Sequence, residues 1–183
     1  MKRSNTIIAV SVALLVAIAV ALGAGLQAPN SGPSGLVSAT AELKPGQRQP
    51  MIVAPEAVEV RLFVEGRSQD SPARVAELMK DGDGILLTAK QRAQLDRSVF
   101  RYRMTREEFE NNAIAGCFIP HHFFRYYDAA GKQIGELAVC YCCRGVDMTP
   151  AGWSLGDDEE WEFDYAGIEQ MLKEMNVPVD IDC

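Results

Sequence analysis

The sequence is poor in histidine and contains no internal repeat. His121 and His122 are the only histidines in 183 residues, so any imidazole chemistry is confined to one dipeptide. No β-α-β spacing is present, which argues against a parallel sheet. Basic residues are also few: 18 Lys and Arg stand against 25 Asp and Glu, for a formal net charge of −7. Removing Lys2 and Arg3, the only charges before residue 28, leaves −7 − 2 = −9 for the remainder. Nucleic acid and anionic lipid are poor partners for so acidic a chain.

Charge is absent altogether from Ile7 to Leu26, a run of 20 residues. As a helix it spans ~30 Å of hydrocarbon, and Lys2 and Arg3 before it hold the amino end inside. The same residues describe a secretory signal, with an apolar region from Ile7 to Ala21 and small residues at Gly23, Gly25 and Ala28 that suit cleavage. Both readings of residues 1–27, signal peptide or membrane anchor, stay open. An unbroken apolar run has no polar face to show water, which argues against a core helix at the N-terminus. No cysteine follows closely enough for lipidation. Residues 28–50 hold Pro29, Pro33, Pro45 and Pro50 among glycine and serine and read as a flexible linker. Residues 51–183 are then an exported domain. It is either anchored in the inner membrane facing the periplasm or exterior, or secreted to the periplasm, with the membrane or another envelope protein as partner.

Within that domain Val58, Val60, Leu62 and Val64 alternate with Glu59, Arg61 and Glu65, which predicts a half-buried strand over 57–65. Ser71-Pro72 opens a short helix with Val75, Leu78 and Met79 on one face, closed by Gly82-Asp83-Gly84. Thr88 and Gln91 have capping-box spacing and start a second helix with Leu95 and Val99 inward; Thr105 and Glu108 repeat the pattern. Phe100, Tyr102 and Met104 suggest a short strand between them. Phe118–Tyr127 and Ile134–Cys142 are β-prone and flank Asp128-Ala-Ala-Gly131-Lys132, which predicts a hairpin. Asp164 caps a last helix with an Ile168, Met171, Leu172, Met175 stripe, ending before Pro178. The fold class is α+β, a small antiparallel sheet with short helices packed on one face, preceded by one N-terminal hydrophobic helix. The acidic run Asp157–Asp164 lacks the spacing of a calcium loop and reads as a solvated face, with Trp153 and Trp161 beside it covering the sheet.

Four of the five cysteines, Cys117, Cys140, Cys142 and Cys143, bracket the hairpin together with both histidines. Hairpin pairing brings the start of the first strand beside the end of the second, and so brings Cys117, His121 and His122 toward the later cysteines. The segment formed by Cys117, Pro120, His122, Phe124, Tyr127, Asp128, Gly131, Lys132, Cys140, Tyr141 and Cys143 resembles a group of uncharacterised bacterial exported proteins and lipoproteins. The resemblance implies export and no particular activity. It departs from the group at His121, where Arg is expected, and at the additional Cys142.

Cys117, His122, Cys140 and Cys143 make a Cys₃His donor set with a C-x-x-C half-site, the pattern of a tetrahedral zinc centre. The leading expectation is a non-catalytic envelope domain that binds zinc or a similar ion for its fold or for metal handling. An alternative is a protein-interaction module stapled by a disulfide from Cys117 to Cys140 or Cys143. A second alternative is a periplasmic thiol oxidoreductase using Cys140 and Cys143, with Arg144 and a histidine lowering a thiol pKa, for which no activating helix N-terminus is evident. Haem attachment is excluded, because Arg144 stands where histidine is required. A cysteine nucleophile beside His121 or His122 lacks an orienting acid. Cys183, far from the hairpin in sequence, is expected to be dispensable.

Overall fold

The computed structural model describes residues 42–111, 118–149 and 155–182. The apolar run Ile7–Leu26, most of the linker, Cys117, Trp153 and Cys183 lie outside them. No helix among the described residues is long and apolar enough to cross a membrane. The architecture is α+β, in the order β1 (Arg48–Pro50), β2 (Glu59–Val64), α1 (Pro72–Lys80), β3 (Ile85–Leu86), α2 (Ala89–Leu95), β4 (Val99–Arg103), α3 (Arg106–Asn111), β5 (His122–Tyr127), β6 (Gln133–Cys140), β7 (Gly145–Thr149), β8 (Glu159–Phe163), α4 (Tyr165–Glu174). The strands form two antiparallel sheets, a larger one ordered β3-β2-β5-β6-β7 and a smaller one ordered β1-β4-β8.

Alternation writes the larger sheet. In β2, Val60, Leu62 and Val64 are buried and stand opposite Tyr126, Phe124 and His122 of β5. Phe124 and His122 in turn face Leu137 and Val139 of β6, and these face Met148 and Val146 of β7. Directly paired residues share a face of the pleat, so these side chains make one inner face. That face joins Val75 and Leu78 of α1, Leu95 of α2 and Ile168, Met171 and Leu172 of α4 in a single core. The hairpin between β5 and β6 turns where Asp128 Oδ1 accepts the N–H groups of Ala130 and Lys132 and Gly131 takes φ +76°. Glycine meets that left-handed requirement without steric cost.

Capping fixes the helix starts. The Thr88 and Gln91 box is complete, and Thr105 and Glu108 exchange the same pair of bonds at α3. Asp164 accepts from Gly167 N–H at α4. Three expectations for individual residues change: Val58 and Met79 are exposed, and Val99 begins β4 instead of extending α2.

The larger difference is the second sheet. The acidic run expected to be a solvated face contains β8, paired with β4. Its carboxylates are met by arginines across the ladder. Arg101 makes a two-pronged bond to Glu159 at 2.9 and 2.6 Å, Arg103 Nε reaches Asp158 at 2.8 Å, and Arg48 lies 3.2 Å from Glu162. Planar guanidinium forks match carboxylate geometry, so a sequence that repels itself in isolation pairs well here. Trp161 packs against the core as expected.

Candidate thiol site at the β6–β7 turn

Strand β6 ends at Cys140, which pairs with Gly145 at the start of β7. The four residues between them, Tyr141 to Arg144, form the turn, and Arg144 closes it with φ +52°. A non-glycine residue in that region carries strain that its surroundings must offset. The Arg144 guanidinium rests over the Tyr165 ring at 5.1 Å, a cation–π contact that holds the side chain.

The turn folds back on Cys140. The Cys143 N–H points at Cys140 Sγ at 3.4 Å, and neither residue is in a disulfide. Cys140 is 2% exposed, whereas Cys143 is half-buried. Burial pushes the Cys140 thiol up, but hydrogen bonds from the Cys143 side chain and from the backbone N–H groups of Cys143, Ile119 and Cys142 outweigh it. The net effect holds the thiol below its ordinary value. Donors aimed at sulfur favour the thiolate, the form that binds metals and attacks disulfides.

The segment leading into β5 covers this sulfur. A Cβ on Gly145 would lie 2.8 Å from the Phe118 ring, so only glycine admits the ring there. Phe118 and Ile119 are themselves 42% and 63% exposed, leaving an apolar rim beside the thiols. Tyr165 senses the pair: burial pushes its hydroxyl up, Arg144 pulls it down, and the thiolates of Cys140 and Cys143 push it up further.

His122 is elsewhere. It stands opposite Val139, one residue before Cys140, and period-2 alternation therefore sends Cys140 to the other face of the sheet. The His122 ring is 1% exposed, packs edge-on against Tyr141 at 5.1 Å, and lies with Nε2 2.7 Å from the Pro178 carbonyl oxygen. A carbonyl only accepts, so Nε2 carries the proton. Burial, opposed by the Pro178 carbonyl and reinforced by His121, lowers the ring's pKa to about 4 and keeps it neutral. His121 continues the ladder through its N–H to Val139 O, and its Nδ1 lies 3.0 Å from Glu65 O.

Of the four expected ligands the structure thus brings Cys140 and Cys143 together and places His122 on the opposite face, while Cys117 lies outside the described residues. Among the described residues no group of three His, Cys, Asp or Glu side chains is arranged to hold a metal ion. The bridge from Cys117 to Cys140 or Cys143 is not made, since neither of those two sulfurs is in a disulfide. The bridged cysteine is Cys142, which sequence reasoning had treated as surplus. Phe118 and Ile119 were also missed as parts of the site, whereas Arg144 had been placed beside the thiol pair. The one sequence signal for them was their adjacency to cysteines. Compared with protein-family models, with curated proteins and with solved structures, the chain matches none.

Proposed function

We propose that this is an exported, non-catalytic domain that binds a thiophilic metal ion through Cys140 and Cys143, with Cys117 as a further donor. The observation that carries this reading is the cradle of backbone N–H groups around Cys140 Sγ. Such donors stabilise a thiolate whether or not it is metal-bound, and second-shell bonds of this type orient ligands at metal centres. Soft thiolates select Zn²⁺ or Cu⁺ over hard cations. Cys117 is the residue before Phe118 in sequence, and the Phe118 ring covers the turn. His122 keeps its bond to Pro178 and takes no part. Binding displaces the thiol protons, so affinity rises with pH through the thiol range.

The full chain is therefore expected to take up one Zn²⁺ or Cu⁺ in competition with a chromophoric chelator. Cys140→Ser and Cys143→Ser should each lower affinity at least tenfold, and His122→Gln should leave it within about twofold. Wild-type protein with its thiols reduced that binds neither ion would end this reading.

A second reading is favoured by the absence of a third donor among the described residues. Two thiols alone suit a dithiol that reduces a partner disulfide: a Cys140–Cys143 bond forms, and two electrons and two protons pass to the partner, which leaves as a dithiol. Equilibration in a glutathione redox buffer separates the two. Reversible loss of both thiols, without metal uptake by the reduced form, selects the dithiol.

A further inference from the structure

We infer that the cleft between β8 and the thiol turn binds a small zwitterion carrying a carboxylate and an ammonium, the chemistry of a free amino acid or a short peptide. The cleft has a volume of about 580 Å³, within the range of small-molecule sites. It is lined by residues of β8 and the start of α4, by Arg97 from the α2–β4 connection and by Arg144 of the turn.

Charges of both signs line it, and three of them are already engaged. Arg48 lies 3.2 Å from Glu162 and over the Phe100 ring at 5.5 Å, and Asp164 accepts the Gly167 N–H at 2.9 Å to start α4. Arg97, Arg144 and Glu160 are different. The two arginines are exposed, and among the described residues neither is paired with a carboxylate; Arg144 rests on the Tyr165 ring. Glu160 is the one carboxylate of β8 with neither ion pair nor hydrogen bond among the described residues, whereas Glu159 and Glu162 of the same strand are met by Arg101 and Arg48. Burial, together with Glu162 and Glu108, holds Glu160 above the ordinary carboxylate range. An ammonium brought against it favours the charged form again.

Opposite charges that share a cleft without pairing with each other are complementary to a ligand with both signs at separate ends. Guanidinium forks suit the carboxylate end and Glu160 suits the ammonium. A ligand that is only anionic meets Glu160, and one that is only cationic meets the arginines, so the cleft selects against both. Phe100 and Trp161 add half-buried ring surface for an apolar or aromatic side chain. Arg144 takes its place in the lining with φ +52°, a strained conformation of the kind that gathers at ligand sites. The inference does not depend on what the thiol pair binds.

The test is calorimetric titration of the full chain at neutral pH with phenylalanine and with alanyl-phenylalanine, each beside its N-acetyl and its C-terminal amide form. The expected result is saturable binding of at least one of the two zwitterions, weakened roughly tenfold or more by acetylation and by amidation alike. Glu160→Gln and Arg97→Gln should each weaken it by a similar factor. Glu77→Gln, which removes an exposed carboxylate of α1, should leave it within about twofold. Binding of phenylalanine itself assigns a free amino acid as the source, and binding of the dipeptide alone assigns a peptide. No saturable binding of either compound at millimolar concentration would overturn the inference. So would blocked forms that bind as tightly as their parents, or Glu160→Gln and Arg97→Gln proteins that bind like the wild type. The parents and their blocked forms decide on the wild type alone if the variants do not fold.

Discussion

The two faces of the larger sheet are made from the same strands and differ in almost everything else. The inner face carries Val60, Leu62, Phe124, Tyr126, Leu137 and Val139, all 1% exposed or less. The outer face carries Arg61, Phe63, Phe123, Arg125 and Glu136, partly open to water. There Arg125 lies over the rings of Phe63 and Phe123 at 4.4 and 5.6 Å and bonds Glu136 at 2.7 Å. Strand parity alone decides which residue goes where. It makes His122 part of the dry core and puts Cys140 on the other side, although the two belong to neighbouring rungs of one ladder. The contrast teaches that proximity along a hairpin is not enough to assemble a donor set; the donors must also share a face.

The strongest way to break this contrast is to truncate adjacent aromatic residues. Phe124→Ala is expected to cost about 4 kcal/mol, from lost burial plus the cavity left behind. Phe123→Ala should cost roughly 1–2 kcal/mol, because its ring is half-exposed and water replaces part of what is lost. Urea unfolding at pH 7 measures both, and equal costs would mean that the faces are not energetically distinct.

A pH series sharpens the role of His122. Its folded pKa, lowered to about 4, lies below the unfolded value, so the unfolded chain binds the proton first as pH falls. Stability is then complete above about pH 6.5 and declines below it, at ~1.4 kcal/mol per pH unit until the folded ring also titrates. Between pH 6.5 and 5 the loss attributable to this ring is roughly 2 kcal/mol. His122→Gln should flatten that part of the curve, and an unchanged slope would show that the ring is hydrated or already charged in the folded protein.

The smallest expected effect is on the outer face. Arg125→Ala should cost about 1 kcal/mol, since its side chain is 26% exposed and its ion pairs are partly screened by solvent. The cost should shrink in high salt if the pairs with Glu136 and Glu65 supply most of it, and persist if stacking on Phe63 and Phe123 does. Denaturant midpoints at low and high salt distinguish the two.

Local chemistry was legible in the residues themselves. Thr88, Thr105 and Asp164 start helices because their side chains satisfy N–H groups within three residues, and the turn from Asp128 to Lys132 closes on itself. The alternation in β2 and the stripe of Ile168, Met171 and Leu172 are likewise readable, because burial imposes a period on the sequence. The concentration of cysteines around the hairpin located the candidate site.

Long-range partners were not legible. The acidic strand β8 exists because β4 presents Arg101 and Arg103 across from it, 55 to 58 residues away in sequence. The register that separates His122 from Cys140 depends on where the hairpin turns to the residue, and a shift of one position would exchange the faces. The sequence by itself determined turns, caps and periodicities, since each is satisfied within a few residues. Only the tertiary structure decided which sheet face Cys140 and His122 each take, because that depends on pairings between strands that no local pattern encodes.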